Sequence, residues 1–279
     1  MRLARIARAV LPKAWYRWLG AEYRRRQCAL PSREWFSKIS IETRTDCNLR
    51  CECCPQAASP RPLTVMAEEL FKKIINDLAA VSYTGRISPL CYNEPLLDDR
   101  LIELIRYARE QCPFSQLHLV TNGTLLTPDL LTQLLCAGLD TITIKVYRKD
   151  RDQNPAHLSP RLQPIANMAR QMTAQKIRIE TRSSRRSSSN RPGDPLALGT
   201  RRPLSQFCEL PFRQIVVRPD GKVVLCSQDH LNQQVMGDAT SSSVASIWFN
   251  ERYEGVRREL LARSRKGKIC EQCDFRGFA

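Results

Sequence analysis

The chain has 279 residues, a formal net charge of +16, twelve cysteines and three histidines. That length accommodates one α/β domain of about 200 residues with a smaller appendage, and buries a core without disulfides. No segment approaches the length that spans a membrane, and the basic balance points to a solvated surface or to an anionic partner: nucleic acid, lipid headgroups, or a phosphorylated or carboxylated substrate.

Residues 1–15 begin like a signal peptide, but Arg5, Arg8 and Lys13 interrupt the apolar run, leaving no continuous hydrophobic stretch. Leu3, Ile6, Ala7, Val10 and Leu11 share one helical face with arginines opposite. That is the pattern of a helix packed on the protein's own surface or of an interfacial membrane helix, and makes residues 1–26 a possible peripheral membrane contact. Many cysteines without a secretion signal imply a reducing cytoplasm and metal or cluster binding.

Five β-branched runs follow, "KISIET" (38–43), "ISPLCY" (87–92), "LHLVTN" (117–122), "TITIKVY" (141–147) and "IRIETR" (177–182). Helical patterns lie between them at 66–81, 97–111, 127–138 and 159–175, the third ended by Gly138. Strands alternating with helices predict βαβ units and a parallel sheet closed into all or part of a barrel. Residues 183–200 are too rich in Ser, Arg, Pro and Gly for another unit and read as a bridging loop in which Asn190 and Arg191 reach toward the barrel. Beyond it "RQIVVRPDGKVVLC" (213–226) predicts a hairpin turning at Asp220-Gly221, followed by one helix near 243–265 and a terminal "CEQC".

Cys47, Cys51 and Cys54 form C-x3-C-x2-C in the loop after the first strand. Three thiolates on a four-iron cube leave one iron open to the amine and carboxylate of a small molecule; structural zinc, the alternative, favours paired knuckles. "CNLRCECCP" in this position resembles the cluster loop of the radical S-adenosylmethionine (SAM) superfamily. The resemblance implies Cys47, Cys51 and Cys54 as ligands of a [4Fe–4S] cluster and places Cys53 near the SAM adenine. "CYNEPLL" (91–97) resembles the family's segment that holds the SAM amino group, implicating the Tyr92 and Asn93 backbone and the Glu94 carboxylate. "VTNGTLL" (120–126) resembles the segment nearest the nucleoside and implicates Thr121 and Asn122.

At the other end Cys208, Gly221 and Cys226, spaced C-x12-G-x4-C, resemble the start of a SPASM or twitch iron–sulfur domain, and Cys270-x2-Cys273 supplies a second pair. Four thiolates saturate a second [4Fe–4S] cluster, which serves either electron transfer or as a staple for a small unit. The expected fold is thus α/β, a partial (β/α) TIM-like barrel of five or six parallel strands with a small C-terminal β-hairpin plus helix iron–sulfur domain. The expected divisions are an extension (1–35), the barrel (36–182), a linker (183–207) and the auxiliary domain (208–279). Cys28, Cys91, Cys112 and Cys136 read as packing residues, His118 and His157 as structural, and His230 as a loop histidine exposed to solvent or set near the second cluster.

Alternation on the last two barrel strands turns Thr143, Lys145 and Tyr147, and Arg178, Glu180 and Arg182, into the lumen. Barrel sites gather at strand C-termini, which makes Lys145, Tyr147, Glu180 and Arg182 the catalytic candidates; an internal Glu180–Lys145 ion pair is the structural alternative. The layout looks similar to the twitch dehydrogenases, whose example in butirosin biosynthesis oxidises an aminocyclitol hydroxyl to a ketone. The resemblance implies SAM cleavage to a 5′-deoxyadenosyl radical, a flavodoxin- or ferredoxin-type reductant, and oxidation of a small sugar or aminocyclitol with the second cluster as electron acceptor. Radical epimerisation, crosslinking or thioether formation on a ribosomal peptide is the alternative within the family. A basic iron–sulfur or zinc nucleic-acid-binding protein is the alternative outside it.

Overall fold

Strand β1 (Lys38–Ile41) sends Ile39 and Ile41 to one side, where both are fully buried, and Lys38 and Ser40 to the other, the period-2 consequence of the pleat. The same alternation recurs in β2 (Arg86–Ser88), β3 (Gln116–Thr121) and β4 (Thr141–Arg148), whose Ile87, Leu117, Leu119, Ile142 and Ile144 join β1 in one core. A computed structural model describes residues 20, 22–26, 28, 35–148, 158–172, 176–183, 207–267, 269–271, 273 and 275, those at 148, 182 and 183 by backbone alone.

Parallel neighbours require a crossover, and a helix provides it. Helices α1 (Pro55–Ala58) and α2 (Glu68–Ala80) connect β1 to β2, α3 (Leu101–Gln111) connects β2 to β3, and α4 (Pro128–Cys136) connects β3 to β4. The apolar stripe of α2, Phe71, Ile74, Ile75 and Leu78, lies in the same core as the outward strand residues. Thr127 caps α4, its hydroxyl accepting from Leu130 N at 3.1 Å, and Gly138 follows the helix at φ +104°, where an L side chain is strained. Before β5 (Ile177–Ser183) the expected single helix is broken into a 3₁₀ turn (Pro160–Leu162) and α5 (Gln163–Gln171). Pro160 and Pro164 explain the break, since each fits only a first helical turn.

Strands β1 to β5 are parallel in the order β5-β4-β3-β2-β1. On the free side of β1 comes β6 (Gln214–Val217), also parallel, with Lys38 opposite Gln214 and Ile41 opposite Val217. The first strand of the C-terminal hairpin is therefore the sixth parallel strand of the barrel sheet. The hairpin continues antiparallel into β7 (Lys222–Val224), turning at Gly221 (φ +85°), and a further strand absent from the sequence expectation, β8 (Val235–Asp238), completes an eight-stranded sheet. Residues 214 to 217 are all buried, the pattern of a strand covered on both faces.

Helix α6 (Leu210–Arg213) precedes β6. The last predicted helix is two: α7 (Val244–Trp248) and α8 (Glu251–Leu261), restarted by Asn250, whose side chain accepts from Tyr253 N. Glu22 pairs with Arg263 at 2.6 Å and Arg24 with Glu209 at 3.4 Å, so the described residues of the N-terminal segment lie against the C-terminal part of the chain. The amphipathic face at 3–11, His157, Asn190, Arg191 and most of the 183–207 linker lie outside the described residues. No helix among the described residues is long and apolar enough to cross a membrane.

Candidate active site

The loop after β1 is tied at its root to the two strand ends beside it. Glu94 N donates to Asp46 O at 2.9 Å, and Asn122 Nδ2 donates to Asn48 Oδ1 at 2.8 Å and reaches Cys47 Sγ at 3.8 Å. Thr124 returns two bonds to Asn122 Oδ1, at 2.9 and 2.6 Å. Cys51 O accepts from Cys54 N at 2.9 Å, and Cys54 stands at the start of α1 with Pro55 behind it, which turns the loop back toward the barrel. Burial, with Cys53, Cys54 and Cys47 adding to it, pushes the Cys51 thiol up to about 12. Burial likewise raises Cys47, with Glu94 and Cys54 adding to it. Buried thiols beside one another resist ionisation alone and are stabilised as thiolates only by a strongly cationic group among them.

Glu94 is 2% exposed. Its Oε1 accepts from Thr121 Oγ1 at 2.6 Å and Leu96 N at 3.1 Å, and its Oε2 accepts from Asn122 N at 2.8 Å. Burial nevertheless raises its pKa, because those donors do not replace a full positive charge. Among the described residues no cation pairs with it, and a ligand ammonium suits its buried carboxylate. Glu94, Thr121 and Asn122 are thus brought together at the cluster loop, and Tyr92 and Asn93 lead into them.

Cys208, Cys226 and the Cys270–Cys273 pair, from three separate places in the sequence, line one pocket walled by Leu210, Leu225, Leu260 and Ile269. Burial pushes Cys208 up to about 11, Cys270 up to about 12, and Cys226 well above the ordinary thiol range. Among the described residues no three such side chains close on a single ion. Four thiols around a pocket suit a group with four corners, as an iron–sulfur cube has. Arg265 borders the pocket and donates to Cys273 O at 3.3 Å.

A buried ionic network joins the two cysteine sites. Glu42, just past β1, accepts from Arg61 at 2.7 and 2.8 Å, from Arg218 at 3.0 Å and from Tyr92 N at 2.8 Å. Burial works to raise its pKa, but Arg218 and Arg61 outweigh it, and the carboxyl lies below its ordinary range. Arg218, in the β6–β7 turn, also donates to Asn232 Oδ1 at 2.8 Å and to Asp229 O. Tyr92 donates its hydroxyl to Ser227 O, next to Cys226, and its ring meets His230 edge-on at 4.9 Å. His230 Nε2 donates to Ser59 O at 2.8 Å, at the end of α1.

His230 is therefore fully buried, not solvent-exposed; burial lowers its pKa to about 4. Cys136 is exposed and does no packing, whereas Cys112 is buried and Cys28 and Cys91 are half-buried. Glu180 lies directly opposite Lys145, and Tyr147 opposite Arg182, on adjacent strands. Glu180 is also ion-paired with Arg178 at 3.0 Å, and the Arg182 side chain lies outside the described set. The sequence reading missed Glu42, Arg61 and Arg218. A carboxylate at the inner C-terminal end of a barrel strand was a signal for Glu42; nothing local marked Arg218.

Two family models match the chain: the radical SAM superfamily over residues 41–148 and the SPASM iron–sulfur cluster-binding domain over residues 208–274. The chain belongs to the radical SAM superfamily.

This radical SAM protein is 27% identical over 244 residues to the S-adenosyl-L-methionine-dependent 2-deoxy-scyllo-inosamine dehydrogenase of Niallia circulans, covering 86% of this chain and 93% of that one. It is 37% identical over 116 residues to the GTP 3′,8-cyclase of Synechococcus sp. (strain CC9902), covering 40% of this chain and 32% of that one. Among solved structures it superposes on BtrN in complex with AdoMet and 2-DOIA with a TM-score of 0.73, at 26% identity over 87% of this chain and 94% of that one. The cofactors of such a protein are [4Fe–4S] clusters and SAM, and the two cysteine sets and the Glu94 pocket fit them.

Proposed function

We propose that the protein is a radical SAM dehydrogenase that oxidises a hydroxyl of a small polar substrate, a sugar or aminocyclitol, to a ketone. The observation that carries this reading is similarity to a dehydrogenase over 86% of this chain and 93% of that relative's length. A [4Fe–4S] cluster held by Cys47, Cys51 and Cys54 would supply, with SAM, the radical chemistry that removes the carbinol hydrogen atom, and one held by Cys208, Cys226, Cys270 and Cys273 would supply an acceptor for the remaining electron.

The chain's own residues then have three tasks. Cys47, Cys51 and Cys54 hold the SAM-side cluster, Cys53 lies near the adenine, and Glu94, Thr121, Asn122 and the backbone of Tyr92 and Asn93 fix SAM. Cys208, Cys226, Cys270 and Cys273 hold the auxiliary cluster. Lys145, Tyr147, Glu180 and Arg182, on the strand ends, orient the hydroxyl and take its proton, which completes the balance of one hydrogen atom, one proton and one electron. Reducing equivalents come from a flavodoxin- or ferredoxin-type donor, which suits a reducing cytoplasm. Residues 36–182 serve as the SAM half and 208–279 as the auxiliary half.

The test is anaerobic turnover of 2-deoxy-scyllo-inosamine and of its phosphate monoester, each deuterated at the carbinol carbon. Deuterium in 5′-deoxyadenosine with one ketone per transfer supports the reading. Deuterium transfer without ketone, or SAM cleavage that no carbinol accelerates or labels, contradicts it.

A further inference from the structure

The inner face of the parallel strands carries positive charge that the chemistry above does not use. Ile39, Ile87, Leu117 and Ile142 point into the outer core, so Lys38, Arg86, Gln116, His118 and Thr141 stand on the opposite face. Lys38 is directly opposite Arg86 on adjacent strands, and Arg86 is opposite Gln116. Arg86 Nε donates to Gln116 Oε1 at 2.9 Å, and His118 Nδ1 and Thr141 Oγ1 are 2.7 Å apart, so these side chains meet across the strands on that one face.

The acids of the region are already committed. Glu42 is held by Arg61 and Arg218, and Glu180 by Arg178. Among the described residues no carboxylate pairs with Lys38. Burial lowers its pKa; Cys91 opposes the shift, and Arg86 and Lys145 add to it. Burial lowers His118 to about 4, and Arg86, Lys38 and Lys145 all push in the same direction. Like charges crowded around a half-buried lysine are unfavourable until an anion joins them.

We propose that Lys38, Arg86 and His118 bind an anionic substituent of the substrate, a phosphate ester or a carboxylate, at the N-terminal end of the parallel strands. His118 Nδ1 shares a hydrogen bond with Thr141 Oγ1, and Lys38 and Arg86 supply charge-assisted hydrogen bonds to the anion. His118 lies three residues, roughly 10 Å, below Thr121 along β3. The anionic group therefore sits at the opposite end of the strands from the cluster loop. The inference rests on the dehydrogenase reading for the site it serves, and narrows the substrate class to anionic polyols.

The experiment titrates the reconstituted, SAM-loaded protein with inorganic phosphate and, separately, acetate at constant ionic strength, using calorimetry. Lys38→Met, Arg86→Gln and the outer-helix control Lys72→Met are compared, with SAM affinity reporting an intact fold. Saturable binding that weakens about tenfold in the first two variants and holds in the control supports the site. Saturation by phosphate alone assigns a phosphate ester, and saturation by acetate as well assigns a carboxylate. Absence of saturable binding, or equal weakening in Lys72→Met, overturns it. The titration needs no turnover: lost anion binding with deuterium transfer intact overturns this site alone, and anion binding without deuterium transfer overturns the dehydrogenase reading alone.

Discussion

Glu42 and Arg218 form an ion pair at 3.0 Å in which the two side chains are 0% and 1% exposed, joining the end of β1 to the turn that leads into the auxiliary cysteines. A buried pair contributes little net stability over an apolar one, but removing a single partner strands a charge. Arg218→Ala is expected to lower unfolding free energy by about 3–5 kcal/mol. Lys72→Ala, which breaks an exposed pair on α2, is expected to change it by less than about 1 kcal/mol. Denaturant titration decides, and equal small losses would mean that the network bears no weight.

Glu94 couples β2 to β3 through Thr121 and Asn122 and has no cationic partner among the described residues. Glu94→Gln is expected to weaken SAM binding by about 10–100-fold while iron content is unchanged. Equilibrium dialysis with SAM measures this; wild-type affinity in the variant would remove Glu94 from the SAM site.

His230 makes stability depend on pH. Its pKa is about 4 in the folded protein against an ordinary 6.5, so between those values the unfolded chain binds the proton and the folded one does not. Stability from this group is complete above pH 6.5 and falls as pH drops toward 4. Urea midpoints at pH 7 and pH 5 are expected to differ less in His230→Phe than in wild type. An unchanged difference would show that His230 is protonated without resistance.

The four auxiliary cysteines line one pocket, so Cys226→Ala is expected to lose about half of the bound iron and keep reductive cleavage of SAM, while ketone formation collapses. Full retention of ketone product with that iron gone would reduce the second cluster to a structural staple.

Most of the layout was written in local pattern. Alternation in "TITIKVY" fixed which face of β4 is apolar, and Thr127 and Gly138 bounded α4 because capping and positive φ are local requirements. The C-x3-C-x2-C spacing of Cys47, Cys51 and Cys54 was legible because it lies within one loop. Long-range pairing was not: β6 reads as half of a hairpin, and nothing in "QIVV" says that its other edge meets β1. Strand β8, "VMGD", is too short and mixed to stand out. His230 looked exposed because a lone loop histidine carries no period, and its burial comes from Tyr92 and Ser59, 138 and 171 positions away.

The most direct measurement is 5′-deoxyadenosine formed under anaerobic conditions from SAM and dithionite by the reconstituted protein, beside a Cys47→Ala/Cys51→Ala/Cys54→Ala variant. The account predicts product from the wild type alone. Product from both proteins, or none from an iron-loaded, SAM-bound wild type with carbinol substrates present, would contradict it.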